Sequence, residues 1–597
     1  MTSLWLAGRR PVTTQPFVPG SAYDDVVVGA GITGLTTALM LAESGRRVLV
    51  LEALGIGALA TGNTTGKISL LQGDRLSTLR AHHSRRVLRA YVDSNRDGQE
   101  WLLAFCDGAG VPVERRTAYS YAQHPDAASA VEAEHRAARE AGLPVTLVGG
   151  SGESTRAGRG HDDVDVPFPF AVGVALAEQA QFDAMDALDA LARAVMAAGG
   201  VINTGVRVTG VRASDPVRLS TSAGVVFGHD VVLATATPIL DRGLYFAKTH
   251  GQRSYGLSFE VPDAPGGRLP DGMFLSVGDP AVTAVRPGGG SRSLRTATRG
   301  DGREVLVVGG AGHPVGRPGA VSERQRVAML AAWTDEYFPG AELTHSWSAQ
   351  DYESHNLIPF VGALPRGRGR VYLATGFAKW GMTNGVAAAL RLSAEILGVP
   401  WRERRHWHRV LGSRLTKPAD LGRGAAEGAR IGAAAAAGWL GAERSRVPVA
   451  RPAEGQGVVA SAAGRPAGGH LDGRRPHLRG ERRVPAPRGR SRVERRRALL
   501  GLPAARLPLH RIRSPHRGPR PHRPPRAPPN PLPLTCPPPR HFPGTAKNKE
   551  IHLDTPSSGR HYPACCHLTP CFWKGRGPGR RRGRPGERGR RRLRMPG

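Results

Sequence analysis

The stretch DDVVVGAGITGLTTALMLAESGRRVLVLEA, residues 24–53, decides the fold. Val26, Val27 and Val28 form a short continuous apolar run, the pattern of a parallel strand buried on both faces. Gly29, Ala30, Gly31, Ile32, Thr33 and Gly34 then read GxGxxG. The first glycine permits a tight turn, the second lets backbone approach a pyrophosphate, and the third lets a helix pack close to the strand. The N–H groups that open the helix face the phosphates. Ala38, Leu39, Leu41 and Ala42 supply a buried helix face and Gly45 a C-cap. RRVLVLEA returns as a second strand ending at Glu52, whose carboxylate can accept hydrogen bonds from an adenosine ribose. Strand, turn, helix, strand and acid in register predict a bound dinucleotide. The motif alone does not choose FAD over NAD.

Four segments lie outward of this core. GIGALATGNTTGKISLLQG follows Glu52 as a small-residue loop, with Thr64, Thr65 and Lys67 its polar members and free N–H groups suited to a second phosphate contact. Residues 180–211 read as a helix followed by a strand that carries Val206 and Val208. DVVLATATPIL, residues 230–240, is a strand running through Ala234 to Ala236. GRVYLATGFAKWGMTNGVAAALRLSAEILG, residues 368–397, is a strand, a glycine-rich turn and an alanine-rich helix.

Together these segments resemble the FAD-dependent oxidoreductases of the D-amino-acid oxidase superfamily, over roughly residues 20 to 400. The resemblance implies non-covalent FAD, with Thr64, Thr65 and Lys67 on the loop that wraps the pyrophosphate and approaches the ring. It places Val206 and Val208 near the adenine, and Ala234 on a strand that ends in Ala-Thr-Gly in the superfamily. Ala236 stands where that glycine is usual: a Cβ is small enough to be tolerated, but a position needing positive φ resists it. Gly376, Trp380, Gly381, Met382 and Thr383 are implied as contacts where a helix N-terminus stabilises negative charge on the reduced ring. Asn63 occupies the region where some relatives have a histidine, and Cys106 lies far from an expected attachment point, so a covalent flavin link is not expected.

The expected fold class is α/β: a Rossmann-like FAD-binding domain with an inserted antiparallel-sheet substrate domain and a disordered basic C-terminal tail. RSYGLSFEV, GMFLSVG and REVLVVGG alternate or run apolar over strand lengths and supply the inserted sheet. The expected oxidoreductase spans 1–410, with nucleotide-binding parts at about 20–80, 180–240 and 350–400 and substrate-domain parts at about 81–179 and 241–349. A helical linker at 411–458 and a low-complexity tail at 459–597 follow.

In such enzymes the flavin carries the hard chemistry, taking hydride at N5 from the carbon next to a neutral nitrogen. The protein places that C–H bond, excludes water and holds the amine deprotonated. Candidates for these tasks are Lys379, Tyr352 and His355, with Trp380 and His313 beside them and Arg253 and Tyr255 for an anionic group on the substrate. The expected partner is a small amine or amino acid with an unknown electron acceptor. A non-amine substrate, or a nucleic acid bound through the tail, are the alternatives, because a fold does not fix its chemistry.

Composition separates the two ends of the chain. Residues 411–597 hold 41 Lys+Arg and 10 Asp+Glu, a net of +31 out of +34 for all 597 residues. A basic arm of this kind binds phosphates without specificity. No apolar run reaches the roughly 20 residues of a membrane span, and the cysteines suggest no disulfide framework, so a soluble cytoplasmic protein without nucleic-acid or membrane specificity is expected.

The narrower resemblance, through TTGKISLLQG, KWGMTNGVAAAL and SLWLA, is to bacterial gamma-glutamylputrescine-oxidoreductase-like proteins that carry a C-terminal Rieske domain. A Rieske centre needs two cysteines and two histidines, and residues 450–535 contain no cysteine, so no 2Fe–2S cluster is expected in this chain. Arginine, proline, alanine and glycine have GC-rich codons. Back-translated and read one base on, GLPAARLPLH (501–510) can give Asp-Cys-Pro-Leu-His-Gly-Ser-Arg-Phe, and residues 481–491 can give Ser-Ala-Val-Cys-Pro-His-Leu-Gly-Gly-Val. The tail therefore reads as a Rieske domain displaced by a frame change near residues 459–466. Cys565, Cys566 and Cys571 with His561 and His567 imitate a metal cluster without being expected to form one.

Overall fold

The computed structural model describes residues 2–412 apart from 151–162, 241, 263, 265–267, 279–290, 301 and 317–320. Beyond these it describes scattered positions between 420 and 433 and the strands at 457–460 and 468–471.

Strands and helices are numbered in chain order. The first sheet is built on β1 (Ala22–Val28), which runs parallel to β2 (Val48–Leu51) on one side and to β11 (Val225–Leu233) on the other. β8 (Val201–Asn203) extends it beyond β2, and β18 (Val371–Thr375) and β17 (Phe360–Ala363) extend it beyond β11. β9 (Val208–Arg212) and β10 (Val217–Thr221) form an antiparallel branch from β11. Val26 and Val27 are fully buried because both faces of the sheet are covered: Val27 packs with Leu35 and Leu39, and Val26 with Val211, Val217 and Leu219 of the β9–β10 branch, as the unbroken apolar run requires.

Helix α1 (Ile32–Glu43) returns against this sheet and packs on α5 (Ala184–Ala197) and α8 (Gly381–Ile396). The close approach depends on two glycines. Gly29 has φ +112°, and a Cβ there would stand 2.5 Å from the Ala234 carbonyl oxygen, while a Cβ on Gly34 would overlap the Gly29 carbonyl. The ends of β1, β11 and α1 therefore converge at one point.

The second sheet has ten strands in the order β16, β12, β15, β14, β13, β4, β7, β5, β6, with β3 paired to β7. Its long members are β4 (Val113–Ala122), β7 (Val172–Phe182), β12 (Thr249–Glu260), β15 (Glu304–Pro314) and β16 (Glu342–Ser354). The shorter ones are β3 (Lys67–Ile68), β5 (Thr146–Gly150), β6 (Asp163–Val164), β13 (Met273–Ser276) and β14 (Arg292–Thr298). It is not wholly antiparallel as the sequence suggests: β13 runs parallel to β4, and β5 to β6. β4 and β13 come from segments far apart in the chain, so no hairpin dictates their direction.

β3 belongs to this sheet although it follows the nucleotide-binding loop directly; Lys67 pairs with Gln181. The loop is thus held between the two sheets. Tyr255, Leu257 and Phe259 of β12 pack with Leu330 and Trp333 of α7 (Glu323–Tyr337) in the core behind the second sheet. α3 (Arg85–Gly108) packs on α8 and on α9 (His406–Gly412), and α2 (Arg75–His82) packs on α4 (Ala128–Glu140). One short helix, α6 (Tyr245–Lys248), precedes β12.

The N-terminal SLWLA clamps the loop from outside. Ser3 Oγ donates to the Gly62 carbonyl at 2.5 Å and Trp5 Nε1 to the Thr64 carbonyl at 2.6 Å, while Arg9 pairs with Asp183, Asp186 and Asp189 around the start of α5. β19 (Gly457–Ala460) and β20 (Gly468–Leu471) pair as an antiparallel ladder. Most of the expected linker and all of residues 472–597, with the frame-change reading and four of the five cysteines, lie outside the described residues.

Candidate active site

The carboxyl ends of β1, β11 and β18 face the second sheet across a cavity of about 430 Å³, a size ordinary for a cofactor or small-ligand site. Two helices begin at its wall. α1 starts at Gly31, Ile32 and Thr33, and α8 starts at Trp380, Gly381 and Met382; all six residues line the cavity. Neither N-cap residue makes a side-chain capping bond. Two N-terminal partial positive charges thus meet one cavity, an arrangement suited to negative charge at both points.

The facing wall follows from strand alternation. Gln252, Ser254 and Gly256 of β12 and Trp347, Ala349 and Asp351 of β16 lie at every second position and line the cavity, joined by Tyr255 beside a register shift in β12 and by Gln350 and Tyr352 at the end of β16. Ser293 of β14 and Gly310 and Gly312 of β15 continue the same wall. Asn63, Thr64, Thr65 and Lys67 close it on the loop side.

Lys67 Nζ donates to the Phe274 carbonyl at 2.7 Å and to Ser293 Oγ at 2.9 Å. Burial, with the Arg295 guanidinium nearby, holds its pKa well below the usual lysine range. Arg295 is itself buried, donates to the carbonyls of Thr65 at 2.5 Å and Phe182 at 2.9 Å, and lies over the Trp5 ring at 4.8 Å. Burial lowers its pKa to about 10. Lys379 Nζ lies 3.2 Å from Asp351 Oδ2 and donates to Ser254 Oγ at 3.1 Å. Burial pushes the Asp351 carboxyl upward against the pull of Lys379. Tyr352 OH accepts from Gln350 Nε2 at 2.8 Å, and burial raises its pKa as well.

Of the residues singled out from sequence, Gly31, Ile32, Thr33, Thr64, Thr65, Lys67, Ala234, Tyr352, Gly376, Lys379, Trp380, Gly381 and Met382 line this cavity, as do Asn63, Tyr255 and Ala236. Gly29, Ala30 and Gly34 build the turn beside it. Glu52 lies behind that turn, its carboxylate accepting from the backbone N–H of Ala30 at 2.9 Å and of Leu54 at 2.8 Å. Val206 and Val208 are buried in the core with Val26 and Val28. Thr383 turns from the cavity to donate to Asn95 Oδ1 at 2.5 Å.

His355 is not brought to the cavity. It follows the end of β16, its N–H donates to the Lys248 carbonyl, and its ring stacks on His250 at 5.1 Å. His313 sits behind the wall, 3.1 Å from Tyr255 OH. Arg253 does not line the cavity: it donates to Glu323 and to Gln350, and Gln350 does line it. Cys106 is buried in α3, its thiol pushed up to about 12 by burial. Ala236 has φ +60°, the conformation that the missing glycine would favour.

Sequence reasoning missed Asp351, Gln252, Ser254, Trp347 and Ser293. The signal available was alternation: stepping back by two along 347, 349 and 351 gives one sheet face, but which face meets the cavity depends on pairing that no local pattern reveals.

Residues 24–395 match the family model described as FAD dependent oxidoreductase (DAO). The chain is 27% identical over 375 residues to "Putative Rieske 2Fe-2S iron-sulfur protein YhfW" of Bacillus subtilis (strain 168), covering 62% of this chain and 68% of that protein. Among solved structures, glycine oxidase from Geobacillus kaustophilus matches with TM-score 0.51 and 18% identity, covering 66% of this chain and 100% of that one. Glycine oxidase from Bacillus cereus ATCC 14579 matches with TM-score 0.50 and 16% identity, covering 66% and 99%. Among the described residues no helix is long and apolar enough to cross a membrane.

Proposed function

From the premise that this chain belongs to the FAD-dependent oxidoreductase family and is such an enzyme, we propose that it oxidises a C–N bond of a small amine or amino acid. The carrying observation is the cavity on which two helix N-termini, neither capped by its own N-cap side chain, and the polar face of the second sheet converge. The residues fit FAD: the Gly29 and Gly34 packing leaves no side chain between the end of β1 and the start of α1, and Gly31 and Thr33 open that helix towards the cavity.

When bound, FAD supplies the two-electron acceptor that takes hydride from the carbon next to nitrogen. The chain's own residues do the rest. α1 and the Thr64–Thr65 loop would hold the pyrophosphate side, and the start of α8, with Trp380, Gly381 and Met382, would stabilise negative charge on the ring. Lys67 donates to the Phe274 carbonyl and to Ser293 Oγ, and burial works against its charged form, so protein groups rather than water serve this side chain. The amine reacts in its neutral form: its lone pair forms the C=N bond as hydride leaves carbon, and water then hydrolyses the imine to carbonyl and ammonia or a smaller amine. Lys379 and Tyr352 are positioned to orient that substrate. We read the cofactor as held non-covalently: no cysteine or histidine is among the described residues that line the cavity, and Cys106 is buried in α3 with its thiol disfavoured from ionising.

Anaerobic mixing of the flavin-loaded chain with amines, amino acids and hydroxy acids tests the reading. Bleaching of the oxidised flavin spectrum by amines or amino acids is expected, whereas reduction by hydroxy acids alone would assign the site to non-amine substrates.

A second reading concerns residues 459–597. The Bacillus subtilis relative carries a Rieske 2Fe-2S cluster in its name, and a one-base shift can turn this segment into two Rieske half-motifs. We propose that it is a displaced electron-transfer domain that, as written, has no cysteine between residues 450 and 535, where the half-motifs fall, and that electrons leave the flavin to a separate acceptor. The gene's DNA decides this: a second-frame translation without Cys-Pro-His and Cys-Pro-Leu-His contradicts it.

A further inference from the structure

The cavity contains a charge asymmetry that the flavin does not use. Among the described residues, its ionisable side chains are Lys67, Asp351 and Lys379 together with two tyrosines, and no arginine lines it. Lys67 is committed to the Phe274 carbonyl and Ser293 Oγ, and Lys379 to Ser254 Oγ and Asp351 Oδ2. Each lysine thus has two donors engaged, which leaves a substrate carboxylate at most a single further N–H from either and no bidentate partner. The arginine best placed by sequence, Arg253, is bonded to Glu323 and Gln350 instead.

Asp351 is in the opposite condition. Its side chain is 14% exposed, against 48% for Lys379. One carboxylate oxygen accepts from Lys379, and the other, Oδ1, is buried with no hydrogen-bond donor. A buried acceptor left short of a donor is uncommon and costly. Rotation about the soft terminal torsion of aspartate can present either oxygen to the cavity. A cationic nitrogen supplies what this carboxylate lacks, and a substrate carboxylate at the same place would meet like charge.

We infer that Asp351 is the substrate-specificity residue of this cavity and that it binds a cationic nitrogen remote from the reacting carbon, so the substrate class is a dicationic amine without an α-carboxylate. This rests on the C–N oxidation proposed above. It separates the two nitrogens: one stays charged at Asp351, while the other becomes neutral and reacts. Lys379 limits the attraction by sharing the carboxylate.

Binding and reduction distinguish this inference from the reaction on which it rests. The full chain loaded with FAD is titrated by calorimetry with cadaverine, a five-carbon terminal diamine, with pentylamine and with norvaline, and flavin reduction by each is followed without oxygen. Cadaverine should bind most tightly. Asp351→Asn should weaken cadaverine by about tenfold or more, the scale of one charge-assisted bond, and change pentylamine far less. Lys379→Met should tighten cadaverine, because the carboxylate is no longer shared. Opposite signs for the two variants are the signature of a cation receptor, since an ion pair that only braces β16 would respond alike to loss of either partner.

Preference for norvaline, or equal cadaverine affinity in the native protein and Asp351→Asn, overturns the inference even if amines bleach the flavin. Tight, Asp351-dependent cadaverine binding with no flavin reduction by any amine sustains the cation site and overturns the C–N reaction.

Discussion

At the scale of single residues, the positions most legible in sequence were those with local steric demands. Gly29 and Gly34 could be assigned because a turn and a helix–strand contact leave no room for a Cβ, and the structure places backbone where each Cβ would go. Ala236 belongs to the same class. Its φ of +60° puts an L-residue in the left-handed region, which costs roughly 1 to 2 kcal/mol relative to glycine. Part of that is returned as chain entropy on introducing glycine, so Ala236→Gly should raise stability by about 1 kcal/mol, read from denaturant midpoints. An unchanged or lower midpoint would mean that the Thr375 Oγ1 bond to the Ala236 carbonyl, 2.6 Å long, compensates the backbone. Asp351 was not legible, because its importance comes from pairing opposite Gln252 and from Lys379, a residue on a turn 28 positions later.

At the scale of elements, two contacts make separate predictions. The N-terminal clamp holds the loop that joins the sheets: Trp5 is 4% exposed, bonded to Thr64 and covered by Arg295. Trp5→Ala should cost about 3 to 5 kcal/mol and weaken FAD retention on dialysis more than Ala substitution of exposed Trp401 does; equal retention would show that the loop holds without its clamp. SLWLA was informative only as a resemblance, since nothing in five residues says what they pack on.

The second contact joins α4 to α2. Glu134 accepts from the N–H groups of Leu76 at 3.1 Å and Ser77 at 2.7 Å, while Asp74 makes no side-chain cap to its own helix. Burial pushes the Glu134 carboxyl from 4.5 up to about 7, outweighing the backbone bonds that favour its charged form. A raised pKa means that the folded state favours the proton: the contribution is complete below pH 4.5 and is lost as pH climbs through about 7. This group alone should lower stability by about 3 kcal/mol over that window. Glu134→Gln should remove that slope, and the difference between the native and variant melting curves against pH isolates it from other carboxylates.

At the scale of the whole molecule, the chain's charge and its chemistry lie at opposite ends. Residues 411–597 carry +31 of the net +34, whereas the cavity is formed by residues 31–382. DNA retained by the full chain should fall steeply with salt while the flavin spectrum stays unchanged, measured on the same immobilised sample; flavin loss in step with DNA would tie the two together. In the first sheet β1, β2, β11 and β18 were readable because each is a short buried apolar run, whereas β8 and β9 merge into one strand in the sequence pattern and β10 and β17 carry no comparable run. The second was readable only as strands: its order depends on long-range pairing, and its parallel β4–β13 contact has no local turn to announce it. Lys379 and Tyr352 reached the cavity from that reading and His355 did not, because one step past the end of β16 the chain turns towards Lys248.

The central claim, oxidation at a C–N bond, is tested most directly by one anaerobic turnover of the flavin-loaded chain with a diamine deuterated at the carbon next to nitrogen. Hydride loss from that carbon should slow flavin reduction relative to the undeuterated diamine and leave one carbonyl product per flavin reduced, found by mass spectrometry with loss of that nitrogen. A product that keeps nitrogen on an unoxidised carbon, or flavin that stays oxidised with monoamines and amino acids as well as with the diamine, would contradict it.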